Sequence, residues 1–298
     1  MAAIAGNGRL GRRRRLWRRL AASLAAAAAV AGTALAVLAI AQEGQARQWR
    51  GAAYRPVPRD AAAFWGHGCF CIDMAGTAVV TDPVFESYAP GARRLVPRPD
   101  RGLLRDVRAV LISHAHLDHL SRRTLAEFPR ETVLVCPPPC ARYLAGLPNE
   151  VRVLQSWEET AVHGVTVTAV PARHPGGRYV LKPGKGGPAV GYVLRGSGRT
   201  VYYSGDTEYF DGLAAIGERY RPDVALLNVN VHLPYPQAAW AARDLGAGVV
   251  IPGHHGAFYT PRALAGGGWR SRLADDLGSQ FRVLPLGESL PLPGADRE

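Results

Sequence analysis

The chain has 298 residues, 47% of them hydrophobic and 20% charged, which is enough for one large domain with a substantial core and too short for a second full one. Its formal charge of +12 would suit a nucleic-acid binder, but residues 1–50 hold nine arginines against the single acid Glu43, a net +8 that leaves only +4 beyond. The basic excess is an N-terminal feature, so nucleic acid is not expected as a partner.

Residues 1–19 form a basic segment, with arginines at 9, 12–15, 18 and 19. Residues 20–41 follow as an apolar stretch, in which Ala21 to Ala41 carry no charge and only Ser23 and Thr33 interrupt. As a helix this run extends about 31 Å against a hydrocarbon thickness of about 30 Å, so it can span a membrane. Arginines before it and few after it place the N-terminus in the cytoplasm and the main domain across the membrane. A signal sequence is the rival, because Ala39-Ile40-Ala41 has the small-x-small form of a cleavage site and adjacent arginines also permit twin-arginine export. The anchor is preferred, and a soluble Ala-rich leader is a third reading. Residues 42–60 are polar and Pro-containing, as a linker would be, and the main domain is expected over 61–298.

In that domain Ala62 to Trp65, Cys69 to Asp73 and Ala78 to Thr81 read as short strands parted by Gly66-His67-Gly68 and Ala75-Gly76. Glu86 to Asp106 form a long loop whose Arg93, Arg94, Arg98 and Arg101 are candidates to grip an anionic substrate, although charges on loops ordinarily face water and that reading is preferred. Ala109-Val110-Leu111-Ile112 reads as a buried strand. Directly after it come His114, His116, Asp118 and His119, a crowding that packing does not explain. In an extended segment His114 and His116 point the same way, while a turn after Leu117 swings Asp118 and His119 to a second focus. Two foci suggest two metal ions. Imidazole suits zinc and other first-row divalent metals, and a carboxylate adds hard oxygen ligation.

Ser121 can cap a helix to about Phe128, Thr132 to Cys136 and Val151 to Leu154 read as strands, and a short helix fits Ala141 to Leu147. Val162 to Val170 alternates as a half-buried strand leading to His174, and His163, in the turn before it, is left out of the site. The Gly-rich loop from His174 to Pro188 holds the only two lysines, Lys182 and Lys185, without Walker-type spacing. Val190 to Leu194 and Thr200 to Ser204 form a hairpin ending near Asp206. A helix at Gly212 to Tyr220, a strand at Asp223 to Val231 before His232, a helix at Gln237 to Leu245 and a strand at Gly248 to Pro252 before His254 follow, and Phe281 to Leu286 closes a sheet. Two clusters of strands broken by helices imply an α+β sandwich of two sheets with helices outside. Cys69, Cys71, Cys136 and Cys140 leave disulfides or a small zinc site open.

His114-x-His116-x-Asp118-His119, with His174, Asp206 in Ser204-Gly205-Asp206-Thr207 and His254 in Pro252-Gly253-His254-His255, resembles the signature of the metallo-β-lactamase superfamily. Trp65-Gly66-His67-Gly68 and Thr81-Asp82-Pro83 resemble a branch that includes ascorbate-6-phosphate lactonase and the phospholipase D acting on N-acylphosphatidylethanolamine. The resemblance implies a four-layer αββα fold. It implies His114, His116 and His174 on one ion, Asp118, His119 and His254 on another, and Asp206 bridging two divalent cations, zinc first, manganese or iron next. It also implies Asp118 as a proton carrier and His232 as proton donor or substrate ligand. His67 fits either a place beside the metals or a backbone-satisfied turn, Asp82 an anchor for a turn or for a ligating histidine rather than a catalytic group, and His255 either contact or packing. The expected activity is hydrolysis of a phosphodiester, phospholipid or phosphorylated lactone, from a small-molecule or lipid substrate, by an enzyme outside the cytoplasm. A lactamase or lactonase acting on a cyclic amide or ester, and a metal-binding protein without catalysis, are the alternatives.

Overall fold

The computed structural model describes residues 7–89, 92–175, 177–178, 187–259 and 268–294. The chain divides into two units, Met1–Gln48 and Trp49–Glu298. The first is built on one helix, Asn7–Ala46, which continues five residues into the stretch expected as linker because Gln, Glu and Ala propagate helix readily. Leu24, Val30 and Ile40 on it are exposed, and the helix is long and apolar enough to cross a membrane.

Strands in the second unit are, in chain order, β1 Ala61–Gly66, β2 Cys69–Met74, β3 Thr77–Thr81, β4 Val107–Leu111, β5 Val133–Cys136, β6 Val151–Val153, β7 Glu159–Val162, β8 Val165–Pro175, β9 Pro188–Gly196, β10 Arg199–Tyr203, β11 Val224–Asn228, β12 Val249–Gly253 and β13 Ser289–Pro291. They make two sheets, ordered β13-β1-β2-β3-β4-β5-β6 and β12-β11-β10-β9-β8-β7. In each sheet one half is an antiparallel meander and the other is parallel: β3 to β6 in the first, β10 to β12 in the second. Parallel neighbours need crossovers, and helices supply them, which makes this half α/β in character.

Side-chain alternation sorts the layers. Phe64, Phe70, Ile72, Leu111 and Val135 from the first sheet meet Val167, Tyr192, Leu194, Tyr203, Leu226 and Ile251 from the second in the central core. On β10 and β11 the intervening Tyr202, Ala225 and Leu227 face outward and pack under helices Gly212–Tyr220, Gln237–Leu245 and Trp269–Leu277. Trp65, Val80, Val110, Ile112 and Leu134 on the opposite outer face pack with Leu104, Leu125 and Leu144 from the short helices of that side. The result is the four-layer sandwich expected.

Several local expectations change. The helix after Ser121 is regular only over Arg122–Leu125, with single turn bonds carrying it to Phe128. Proline at its first positions lets the next helix begin at Pro138 and end at Leu144. Phe281 to Leu286 contributes buried Phe281, Leu284 and Leu286 but makes only an isolated bridge at Phe281, and Pro285 withholds a donor. The strand that closes the first sheet is β13, paired to β1 at Ala61 to Ala63. The four cysteines are buried thiols in the outer core of the first sheet, with no disulfide and no cysteine metal cluster among the described residues. Lys182 and Lys185, with most of the Gly-rich loop, lie outside the described residues.

Candidate metal centre

Every strand that ends at the centre does so at one edge of the sandwich. Asp82 follows β3, Ser113 and the histidine motif follow β4, Asp206 follows β10, Asn228 ends β11 and His254 follows β12. These are carboxyl ends of strands in the parallel halves, where successive crossovers leave a crevice. β8 runs on through Pro171 and an irregularity to carry His174 to the same edge. The motif turns as its sequence implies: the backbone N–H groups of His119 and Leu120 both donate to His116 O, at 3.1 and 2.9 Å.

Three imidazoles form the first focus. His114 Nε2 lies 2.9 Å from His116 Nδ1, which lies 3.2 Å from His174 Nε2. Nitrogens about 2.1 Å from a tetrahedral ion sit about 3.4 Å apart, so the spacing fits a shared cation. His114, His116 and His174 are all held below the usual histidine range by burial, His174 at about 3, so they present neutral nitrogens.

The second focus is charged. Asp118 Oδ2 lies 3.8 Å from His119 Nε2 and 3.7 Å from His254 Nε2; Asp206 Oδ2 lies 3.5 and 3.3 Å from the same two nitrogens. Such distances are long for hydrogen bonds and ordinary for donors on one ion. Both Nε2 atoms are buried without a hydrogen-bond partner. Burial opposes charge on His119 and His254, yet Asp206 and Asp118 outweigh it, raising His254 to about 9 and His119 well above its usual value. Against the same burial, His119 holds Asp118, and His254 holds Asp206, well below the carboxylate range. This pocket is built to stabilise positive charge.

Asp82 orients one histidine in each focus. His119 Nδ1 donates to its Oδ2 at 2.7 Å, which leaves Nε2 for the second focus. Ser113 Oγ donates to the same oxygen, so His114 Nδ1, 2.9 Å from Ser113 Oγ, must donate there and keeps Nε2 free for the first focus. Tyr203 OH at 2.6 Å and Ser113 N at 2.7 Å complete the carboxylate's partners. Asn228 Nδ2 donates to Asp206 Oδ1 at 3.1 Å and so turns Oδ2 toward the histidines.

Other candidates separate clearly. His232 is half-buried with its ring 4.4 Å from that of His174, and a donor atom of each can share an ion with Asp206. His67 is drawn in, its Nε2 3.0 Å from Asp118 Oδ2. His255 is a packing residue, stacked on Phe64 at 4.8 Å, accepting from Arg270 Nη2 and donating to Pro252 O. His163 stays outside, its carbonyl accepting from Thr77 Oγ1. Of the loop arginines, Arg94 is clasped by Val84 O, Pro97 O and Tyr54 OH, while Arg98 and Arg101 pair with Glu127. Instead that loop sends Tyr88 toward the centre: its ring meets Phe258 edge-on at 4.8 Å, and burial with the Asp118 charge pushes its hydroxyl up to about 12. Asn228, Tyr203 and Tyr88 escape sequence reasoning, and the only signal for Asn228 is a polar residue ending the apolar strand Val224-Ala225-Leu226-Leu227.

The Beta-lactamase superfamily domain profile matches residues 77–255. A UPF0173 metal-dependent hydrolase of Methanoculleus marisnigri is 35% identical over 198 residues, covering 65% of this chain and 80% of the relative. One from Methanoregula boonei is 34% identical over 236 residues, 76% of this chain and 96% of the relative. Among solved structures, Igni18, a metallo hydrolase of Ignicoccus hospitalis, superposes with a TM-score of 0.58 at 21% identity, covering 77% of this chain and 97% of that one. That likeness is one of fold, and the closer sequence relatives carry the assignment: the chain belongs to the metallo-β-lactamase superfamily, among its metal-dependent hydrolases.

Proposed function

We propose that the chain is a binuclear hydrolase in which His114, His116 and His174 hold one divalent cation, Asp118, His119 and His254 hold a second, and Asp206 lies between them. One observation carries the reading: buried, unpartnered Nε2 atoms of His119 and His254 face two carboxylates beside a converging histidine triplet. Zinc suits the nitrogen-rich first focus, with manganese or iron as alternatives where carboxylates contribute. Bound there, the two cations supply Lewis acidity and a hydroxide nucleophile at neutral pH.

The chain's own groups orient and move protons. Asp118, held ionised, is placed to orient the nucleophile as a hydrogen-bond acceptor and to relay its proton to a leaving group. His232 is held beside His174 by Asn230 Oδ1, which accepts from His232 N at 2.8 Å and Leu233 N at 3.2 Å, so its ring is placed to donate to the substrate. The Gly-His and Thr-Asp-Pro elements, with His67 and Asp82 both in contact with proposed ligands, support a place near the lactonase and phospholipase branch. The substrate is then a phosphodiester, phospholipid or phosphorylated lactone. The apolar helix supports a membrane anchor with the hydrolase outside the cytoplasm, or export after cleavage of the leader. Retention of the chain in membranes after alkaline carbonate washing separates these two.

The deciding experiment strips the full chain with chelator, reloads it with zinc or manganese and follows bis-p-nitrophenyl phosphate and nitrocefin. Phosphodiester turnover is expected, with Asp118→Ala losing one bound ion and roughly 10²–10⁴-fold in rate. Undiminished turnover by that variant refutes the site, and nitrocefin cleavage alone moves the activity to cyclic amides.

A further inference from the structure

His67 occupies a position that packing alone does not account for. It sits at the tip of the β1–β2 hairpin, between Gly66 at φ 96° and Gly68, with its own φ at 59°. Hairpin tips ordinarily face water. This one is folded into the protein, leaving His67 7% exposed. The approach is close enough that a Cβ on Gly68 would lie 2.8 Å from Tyr203 OH and 3.2 Å from His119 Cε1.

Two contacts tie the tip to the second focus. The His67 carbonyl accepts from His254 N at 2.7 Å, fixing the backbone of one proposed ligand, itself at φ 61°. The His67 ring lies 3.8 Å, centroid to centroid, from that of His254, and its Nε2 stands 3.0 Å from Asp118 Oδ2. An ionised carboxylate only accepts, so the proton between them belongs to the imidazole. Asp118 Oδ2 is also the oxygen that faces His119 Nε2 and His254 Nε2.

We infer that His67 is a positioning residue for the second metal ion, donating Nε2–H to Asp118 Oδ2 and so holding that carboxylate in its metal-facing rotamer. The inference rests on the binuclear reading above. Nothing in it requires His67 to touch substrate. Its effect falls on one ion of the pair, because the oxygen it holds, Asp118 Oδ2, faces His119 Nε2 and His254 Nε2 of the second focus.

The test measures zinc bound per chain, at buffered free zinc concentrations, for the wild type, His67→Ala, His67→Asn, His67→Gln and Asp118→Ala, each as the full chain in detergent. Gln places an amide N–H near the His Nε2 position without an imidazole lone pair, whereas Asn tolerates the positive φ but falls short of Asp118. Ala and Asn are expected to weaken the second zinc equivalent roughly 10–100-fold and leave the first unchanged, with Gln restoring the second to within a few-fold. Wild-type binding by His67→Asn overturns the proposal. So does a Gln variant as weak as Asn, which would make the imidazole nitrogen itself a ligand. Equal zinc content in the wild type and Asp118→Ala removes the binuclear reading, and with it this role; only that outcome is visible without any change at His67. Comparing Asn with Gln keeps the result readable should His67→Ala fail to fold.

Discussion

At Asp82 a single buried carboxylate accepts from His119 Nδ1, Ser113 Oγ, Ser113 N and Tyr203 OH, and through two of these contacts decides which nitrogen His119 and His114 turn to the proposed metal sites. An amide there replaces one acceptor oxygen with a donor. Asp82→Asn must therefore leave a donor facing a donor in a dry pocket. The expected result is roughly 10–100-fold weaker metal binding at both foci, seen by competition with a chelating dye. A loss confined to one focus would contradict the shared role. The motif His114-x-His116-x-Asp118-His119 is legible as chemistry from its composition, and Asp82 from its motif. Asn228 and Tyr88 are not, because their importance lies in where one amide and one phenol point, and no local pattern encodes that direction.

Among elements, β11 and β12 show how strand pairing transmits to the site. Asn228 pairs with Gly253 in parallel register, and a Cβ on Gly253 would lie 2.5 Å from Asn228 Oδ1 and 2.9 Å from the Phe70 ring. Glycine is required there so that the Asn228 amide can lie over the neighbouring strand and reach Asp206. Gly253→Ala is expected to cost about 1–3 kcal/mol of stability by overpacking and to weaken metal binding as well. Urea denaturation and zinc titration check the two effects, and an unchanged zinc affinity would uncouple the strand from the site. Strands with clear alternation, such as Val165 to Ala169 in β8, are readable in advance. Helix Trp269–Leu277 is not, since its two buried leucines, Leu273 and Leu277, sit in a mostly polar segment and gain a surface from the outer core of the second sheet. β13 is a similar case: three residues gain strand character solely from the free edge of β1.

For the hydrolase unit as a whole, histidine ionisation sets how the metal-free protein responds to pH. Burial holds His67, His174 and His255 at about 3, against 6.5 for the unfolded chain, so the stability their neutral forms contribute is complete above 6.5 and is lost as pH falls below it. His254, raised to about 9 by Asp206 and Asp118, behaves oppositely: its contribution is complete below 6.5 and is lost as pH rises toward 9. The metal-free protein is therefore expected to be most stable near pH 6.5. Urea midpoints at pH 5, 6.5 and 8.5 should peak at the middle value, and a steady rise or fall across the range would contradict these assignments.

Sequence by itself determined which side chains are candidates to hold metal, their order along the chain, the two-sheet class and the apolar N-terminal segment, because donor identity, spacing after a strand and hydrophobic periodicity are local properties. It also left open the roles of His67 and His255, two histidines each beside a glycine. Tertiary structure decided between them: closure of the two sheets brings the β1–β2 tip against Asp118 and His254, while His255 stacks on Phe64 and bonds Pro252 O and Arg270. The physical reason is distance. A lone pair or N–H acts over about 3 Å, and which groups fall within that reach is fixed by how strands far apart in sequence pack together.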